Sequence, residues 1–575
     1  MRSEKWAEKN DWKKVLKTDA AGPILRYEDG KAYTFDGEGH AMILGVSGSG
    51  KSRRETIPMT MSFIGKKESA VIADAKGEIY ANTKNMIPSF YDVHVIDFRN
   101  LYEEDAEGWN PLYAPYVLWK TGIHKLRHAA EQMVEELSHA MYPVSKNADP
   151  FWPKEARNVF LAAVYALFET GNEDEINLAS VYYFIAQGEE RIGSSTYLRE
   201  FADLLKDNEN IAMQLQSYIT TANETRAGIR STFLDGLSMA TKSESVRNFL
   251  SHDELHINEL KGDRPTLIYI IVPDETPIYD DLTGVLVSQL MNHYVRIAEQ
   301  EYGGKLPIRM NVLLEELGNI GRAITNLPHL MSAGRSRNIR VEFVLQSIAQ
   351  LDDIYGESNA VTIMDNCDVR IAFRVYHWKT LTELSQFCGE AESRCEDRVM
   401  KEPLITQSQL AAMETGQALV IVSGRLKFIT WLPDFTEMSI SRMKAANRSK
   451  AKKRIGKEAA YFNIQNYVRE RKGTKETDID KMIGRIDRKI EELERKGGRK
   501  TGKRSVKIIS AGDEAKMKTA FRAYLDLNEE KACEAVELAK KGTLVIRNLD
   551  AKQAEQLVDL LKNCSGTKAV ITEES

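Results

Sequence analysis

A chain of 575 residues, with 79 Lys+Arg against 84 Asp+Glu and a net charge of −5, is long enough for several domains and a large buried core. Its five cysteines form no CxxC pair and fall far below disulfide-scaffold density, which points to reduced thiols in a cytoplasmic protein. Met1-Arg-Ser-Glu-Lys5 offers no apolar core for a secretory signal, and the longest apolar runs, 159–168 and 267–273, fall well short of the roughly 20 residues of a spanning helix.

Residues 1–40 begin charged and then give short strand-like pieces at 24–27 and 32–35. Next comes the apolar run Met42-Ile-Leu44, which feeds Gly45-x-x-x-x-Gly50-Lys51-Ser52, the spacing of a P-loop. Gly45, Gly48 and Gly50 let the backbone wrap phosphates, so that successive N–H groups and the following helix N-terminus meet their negative charge. Lys51 would reach the β- and γ-phosphates and the Ser52 hydroxyl would ligate Mg²⁺, making ATP with Mg²⁺ the expected ligand pair. Two more strand-like runs follow, Ser69–Asp74 and Val93–Asp97. Their alternation with helix-length segments predicts a parallel sheet with crossover helices.

From 113 to 262 β-like runs nearly vanish and helical periodicity dominates, as in Trp152–Phe168, where Val159, Ala162, Ala163, Ala166 and Leu167 recur at helical spacing. The sheet pattern resumes at 265–273 and continues through 310–316, 341–346, 370–373 and 418–422. The chain therefore divides into a nucleotide-binding domain in two parts, 1–112 and 263–436, with an all-α insertion at 113–262.

Residues 437–505 read as a basic helical linker with little apolar face; over 441–505 it holds 22 Lys/Arg against 9 Asp/Glu. Solvated helices with i,i+4 ion pairs explain such a stretch, and a contact with nucleic acid or acidic lipid is the second reading. Residues 506–575 predict a small α+β domain of order β-α-α-β-α-β, which resembles the C-terminal domain of the ribosomal stalk protein and implies a protein-binding module.

What a P-loop does depends on its partners. Val312-Leu-Leu-Glu315-Glu316 is a strand ending in two acids. In P-loop ATPases such a strand ends in a Mg²⁺-associated carboxylate, and a following glutamate polarises the attacking water. Glu315 is expected on the metal side and Glu316 as general base. Further on, Gly334-Arg335-Ser-Arg337 offers an arginine to cross a subunit boundary, Arg335 first and Arg337 second, and Gln346 ends the next strand as a γ-phosphate sensor.

Over residues 38–435 the chain resembles the type IV coupling proteins, hexameric ATPases that deliver DNA and relaxase to conjugative secretion channels. The resemblance rests on His40–Ser52, Asp74-Ala-Lys-Gly-Glu78, Trp109-Asn-Pro-Leu112 and Asp149-Pro-Phe-Trp152. It continues in Glu315–Gly321, Gly334–Arg337, Gln346–Leu351 and Tyr355-Gly356. It implies a RecA-like nucleotide-binding domain interrupted by an all-α domain, a homo-hexameric ring with ATP between subunits, and single-stranded DNA with its relaxase as cargo. It also implies the secretion channel's own ATPases as partners. Two departures stand out. The family normally begins with two membrane helices, which this chain lacks, so either it docks on a separate membrane-anchor protein, with a peripheral place at the inner face of the membrane, or it is a soluble variant of the family. The metal-side acid, usually aspartate, is here Glu315. Alternatives from other classes are a DNA pump of the FtsK kind and a non-hydrolysing ATP-binding scaffold that recruits protein substrates.

Overall fold

The computed structural model describes residues 4–442 apart from 102–106, 145–148, 206–208, 274, 276–278, 325 and 396–397, then 459–472, and from 504 onward three strands with isolated helical positions between them. The chain divides into two compact units, 1–465 and 466–575.

A nine-stranded sheet organises the first unit. In chain order its strands are β1 (His40–Leu44), β2 (Ser69–Asp74), β3 (Asp92–Asp97), β4 (Thr266–Ile271), β5 (Met310–Leu314), β6 (Ile339–Leu345), β7 (Cys367–Ala372), β8 (Gln417–Val422) and β9 (Leu426–Trp431). Across the sheet they run β9-β8-β7-β1-β6-β5-β2-β4-β3. The strands from β7 to β3 are parallel, while β8 and β9 add an antiparallel edge. Every residue of β1, β2, β4, β5 and β6 is buried. That burial explains why these strands read as continuous apolar runs rather than alternations, since a parallel sheet is covered on both faces.

The principal helices, also in chain order, are α1 (Ile57–Lys66), α2 (His124–Met141), α3 (Phe151–Thr170), α4 (Leu178–Gly188), α5 (Tyr197–Leu204), α6 (Asp280–Glu301) and α7 (Leu327–Ser336). The polypeptide leaves the sheet after β3 and returns at β4. Between them lies a helical layer containing α2 to α5, whose described strand content is one two-residue pair at 191–192 and 195–196. Trp109-Asn-Pro-Leu112 forms the entry into this layer. There the Asn110 side chain donates to the Ile176 carbonyl at 2.5 Å and accepts from the Leu112 N–H at 3.0 Å, so the motif ties the entry of the layer to the turn between α3 and α4. α3 opens on the Asp149 carboxylate, which accepts the Phe151 N–H at 2.9 Å.

One expectation is corrected here. The segment 437–505 is not a bare linker, because residues 460–465 are docked on the helical layer. Phe462 is 4% exposed and packs among Phe184 of α4 and Phe201 of α5 at centroid distances of 6.1 and 6.2 Å. Its N–H donates to Ser180 Oγ at 3.0 Å, and Asn177 Nδ2 donates to the Ala460 carbonyl at 2.9 Å. The charge count of this stretch masks two apolar anchors, Phe462 and Ile464, and anchors of that size outweigh the solvation of their basic neighbours. The remaining basic run, 443–458 and 473–503, lies outside the described residues, and with it the i,i+4 helical pairing expected there.

In the second unit, Arg504–Ser510 lies between Val545–Leu549 and Lys568–Glu573 and is antiparallel to both. Val506, Met517, Phe521, Val536, Ala539, Leu557 and Leu561 are buried, giving the unit a core of its own.

Candidate functional site

β1 sits near the middle of the sheet, so the turn at its carboxyl end opens where neighbouring strands also end. Gly45 N–H donates to the Leu345 carbonyl of β6 at 3.1 Å and Val46 N–H to the Arg374 carbonyl after β7 at 3.0 Å. These bonds pin the loop on both sides. Gly48 and Gly50 have φ of +74° and +97°, a left-handed backbone that favours glycine, so the loop turns where only those residues turn cheaply.

Lys51 is buried and folds back on the loop, donating to the Gly45 carbonyl at 2.5 Å and the Val46 carbonyl at 3.1 Å. Burial lowers its pKa, and the charges of Glu316 and Glu315 oppose that shift. Ser52 Oγ donates to Glu315 Oε1 at 2.6 Å. The longer side chain of glutamate therefore meets the P-loop hydroxyl directly. Burial, followed by the charge of Asp74, pushes the Glu315 carboxyl up to about 7, against the Ser52 hydrogen bond that lowers it.

Asp74 belongs to the site, although the sequence reading kept it only as part of a motif. β5 and β2 pair with Leu314 opposite Ala73, so Glu315 and Asp74 are the next residues on adjacent parallel strands. Glu315 N–H donates to the Ala73 carbonyl at 3.1 Å. Asp74 is fully buried and pushed up to about 6 by burial, although the Tyr80 N–H donates to it at 2.8 Å. A strand order was needed to see this pair. The only signal in the sequence was a second apolar run ending in an acid.

Glu316 takes φ of +59° and starts the short helix 317–320. A non-glycine residue held in this region costs energy and marks a place where the fold fixes a side-chain direction. Gln346, the residue after β6, donates through Nε2 to Glu316 Oε2 at 3.4 Å. Gln350 Oε1 accepts the Gln346 N–H at 2.8 Å and the Ser347 N–H at 3.3 Å. A Cβ at Gly318 would stand 2.3 Å from Gln350 Nε2, so the glycine permits this close approach. Tyr355 closes the same corner by donating to the Gly321 carbonyl at 2.9 Å. The motifs 315–321, 346–351 and 355–356 are thus one structure.

Gly45, Gly48, Gly50, Lys51, Ser52, Glu315, Glu316 and Gln346 meet at the carboxyl ends of β1, β5 and β6. Arg335 and Arg337 do not join them. Arg335, at the end of α7, donates to Asp368 Oδ2 at 2.9 Å at the start of β7, and it lies close enough to His40 at the start of β1 to influence it. Arg337 is tied to Glu299 and donates to the Ala333 carbonyl at 2.6 Å. Both arginines stand at the opposite end of the sheet from the P-loop of their own chain. His40, first in the P-loop motif, is structural. Its ring joins the Met331 carbonyl at 2.8 Å and accepts the Val341 N–H at 2.9 Å, while burial lowers it to about 4.

Arg374 was missed by the sequence reading. Its carbonyl holds the P-loop, and its Nε is buried without a hydrogen-bond partner among the described residues. The π-helical turn Ser52–Thr56 then presents Arg53, which grips Asp434 with Nε at 2.6 Å and Nη2 at 2.8 Å, and Arg54, which donates to the Leu432 carbonyl at 2.5 Å.

With this geometry in place, the family model described as Type IV secretory system Conjugative DNA transfer matches residues 2–425. The chain belongs to that family. Within the conjugative DNA transfer family it is 22% identical over 395 residues to the conjugal transfer protein TraG of Escherichia coli, covering 66% of this chain and 59% of that protein. It is also 22% identical over 413 residues to VirD4 of Rhizobium rhizogenes, covering 68% of this chain and 58% of the relative. The chain thus spans less than two thirds of the length of these relatives. Among solved structures, the plasmid coupling protein TrwB in complex with ADPNP superposes with a TM-score of 0.58 at 15% identity, covering 79% of this chain and 97% of the other. That likeness supports the α/β reading, a RecA-like nucleotide-binding core carrying an all-α domain. Among the described residues no helix is long and apolar enough to cross a membrane.

Proposed function

We propose that this protein is an ATP-hydrolysing coupling motor that drives relaxase-bound single-stranded DNA into a type IV secretion channel. The observation that carries the reading is the junction of the P-loop with the acids of β5, Ser52 on Glu315 at 2.6 Å with Glu316 and Gln346 beside it. Gly45, Gly48, Gly50 and Lys51 hold the phosphates, the lysine leaving its two carbonyls when a more negative partner arrives. Ser52 and Glu315, with Asp74 behind them, supply hard oxygen donors suited to Mg²⁺. Among the described residues no three-ligand protein cluster exists, which fits an ion that takes its other ligands from phosphate and water. Bound Mg²⁺ would neutralise charge on the β- and γ-phosphates.

Glu316 accepts the proton of the attacking water, held by its fixed backbone and by Gln346, which senses the γ-phosphate. Nothing in the same chain offers Arg335 a route to that phosphate, because the five-residue β1, roughly 17 Å long, separates them. Arg335 therefore serves the nucleotide of the next subunit in a homo-hexameric ring, with ATP at each boundary. The partners of this motor are the relaxase–DNA cargo, the channel's ATPases and a separate membrane protein that holds the ring at the inner face of the membrane. In this reading 1–112 and 263–436 form the motor, 113–262 the helical domain and 506–575 a protein-binding module.

Purified full chain should hydrolyse ATP with Mg²⁺, and single-stranded DNA should raise the rate. Lys51→Ala should lower turnover by about 10²–10³-fold, the cost of losing one preorganised electrostatic contact. Wild-type turnover in the variant would end the P-loop assignment. Nucleotide binding without any turnover by the wild-type ring would instead favour the recruiting scaffold.

A further inference from the structure

Three contacts tie the turn that carries Glu316 to the segment that follows Gln346, and Gln350 makes the central one. Glu316 opens the short helix Leu317–Ile320, whose four residues give barely one turn. So short a helix does not fix the direction of the Glu316 carboxylate by itself. Gly318 and Gly321 stand three residues apart, a spacing that puts them on one face. That face lies against the helix Ala349–Tyr355. A Cβ at Gly318 would stand 2.3 Å from Gln350 Nε2, and one at Gly321 would stand 3.0 Å from Tyr355 Oη.

Gln350 reaches the sensor as well. Its Oε1 accepts the Gln346 N–H at 2.8 Å and the Ser347 N–H at 3.3 Å, while Gln346 Nε2 donates to Glu316 Oε2 at 3.4 Å. The Gln350 amide has one orientation, because a flip would set its NH₂ against two N–H donors. One side chain therefore holds the backbone of the sensor with its oxygen and covers the turn of the base with its nitrogen. The helix beneath it is anchored in turn, since the Ile348 N–H donates to Thr380 Oγ1 at 3.0 Å and Lys379 Nζ to Asp352 Oδ2 at 2.6 Å. A glutamine that bonds backbone near the start of its own helix can be a local cap and nothing more. A cap, however, needs no glycine on a neighbouring turn. Gly318 has a helical backbone without positive φ, so its conformation does not call for glycine. The space taken by Gln350 does.

We infer that Gln350 is a positioning residue for hydrolysis, which sets the Gln346 amide and the Glu316 carboxylate at a fixed separation. A displacement of Gln346 at the γ-phosphate is thereby carried to the base. Tyr355, on the Gly321 carbonyl at 2.9 Å, is the second point of the same clamp. The inference rests on the reading of Glu316 as general base.

Steady-state ATP turnover and ADP binding by the full chain test the proposal. Gln350→Ala should lower kcat by up to about 10²-fold, the cost of displacing a reacting group by roughly 1 Å, and leave ADP affinity unchanged. Gly318→Ala should lower kcat comparably, because the new methyl expels the Gln350 amide. Alanine suits the helical backbone at 318, so this variant serves if Gln350→Ala does not fold. The double variant Gly318→Ala/Gln350→Ala should be no slower than the slower single one, since both remove the same contact. In a Glu316→Gln protein, where the base is already gone, adding Gln350→Ala should cost nothing more, whereas a purely structural loss would add in full. Wild-type kcat in folded Gln350→Ala and Gly318→Ala overturns the proposal and leaves the general base standing, as do additive losses in either double variant. Wild-type turnover in Glu316→Gln overturns the general-base reading itself, and the positioning role with it.

Discussion

At the carboxyl ends of β1, β5 and β6 the ionisable groups crowd one another, whereas at the amino ends of β1 and β7 each charge has its own counter-ion. Asp74 and Glu315 lie side by side with raised pKa values, about 6 and 7, and Lys51 is held on backbone carbonyls rather than on an acid. At the other end Arg335 rests on Asp368 and Arg337 on Glu299, and Asp368 is itself only partly exposed. The first end stores electrostatic tension that a phosphate–metal ligand can release. The second is at rest alone. In the proposed ring, its arginines would complete the nucleotide site of the next subunit, so that one chain holds two halves of a site at opposite ends of the strands of one sheet.

The largest expected effect tests whether the two ends meet between chains. Arg335→Ala should lower ATP turnover by about 10³–10⁵-fold if it acts as an arginine finger. Mixing Arg335→Ala with Lys51→Ala subunits should then restore part of the activity, since some boundaries combine one intact P-loop with one intact arginine. Mixed rings without any recovery would break the comparison, leaving Arg335 as a structural partner of Asp368.

Next in size is Glu316→Gln, which should retain ATP binding and slow hydrolysis by about 10²–10⁴-fold, because an amide cannot take the proton. Should Glu315→Gln prove the slower of the two at saturating Mg²⁺, the roles of the two acids would be exchanged.

The sequence made one end of the sheet far more legible than the other. The P-loop spacing and the pair Glu315-Glu316 are local patterns, and the residues between them supply their own geometry. Placement of Gln346 beside Glu316 follows from one strand order, since β6 lies next to β5. Asp74 and Arg374 were not singled out because their contribution depends on which strands are neighbours, and continuous apolar runs do not specify that. The opposite end was readable only as a motif. Its place just before the strand 341–346 sets Gly334-Arg-Ser-Arg337 at the amino ends of the strands, but the motif does not tell which acids it meets there. Phe462 escaped for a different reason, being one aromatic ring in a stretch whose average is strongly basic.

The tension at the carboxyl end can be measured directly. With divalent metal chelated, Glu315→Gln should be more stable than the wild type at pH 8, by an amount on the order of 2 kcal/mol. The sign follows from the shift. A carboxyl raised from 4.5 to about 7 holds its proton more tightly when folded, so it contributes stability below 4.5 that is lost as pH rises through 7. Glutamine carries no such loss and still accepts the Ser52 hydroxyl. The gap should therefore close as the pH is lowered towards 4.5. A gap of constant size across that window would mean that packing, not charge, separates the two proteins.

The smallest effect concerns what holds the P-loop end in place. Arg53 is clamped by Asp434 through two hydrogen bonds and stacks 4.8 Å from the Phe435 ring centroid, while Arg54 reaches the Leu432 carbonyl. Phe435 and Met438 are buried. The segment just beyond β9 is thus part of the motor, and a chain cut at Trp431 should lose turnover because the π-helical turn after Ser52 loses its clamps. A chain ended after Arg442 keeps every one of these contacts. Its DNA-independent turnover should stay within about twofold of the full chain, since every described contact at the P-loop end is kept. Two other properties should move. Loss of Phe462 uncovers Phe184 and Phe201, so the helical layer should become more sensitive to proteolysis. Loss of the basic run should also weaken DNA binding and flatten its dependence on salt, since fewer phosphates are neutralised. A folded 1–442 protein that hydrolyses no ATP would show instead that the docked 460–465 segment supports the nucleotide site itself, through the helical layer and into the sheet.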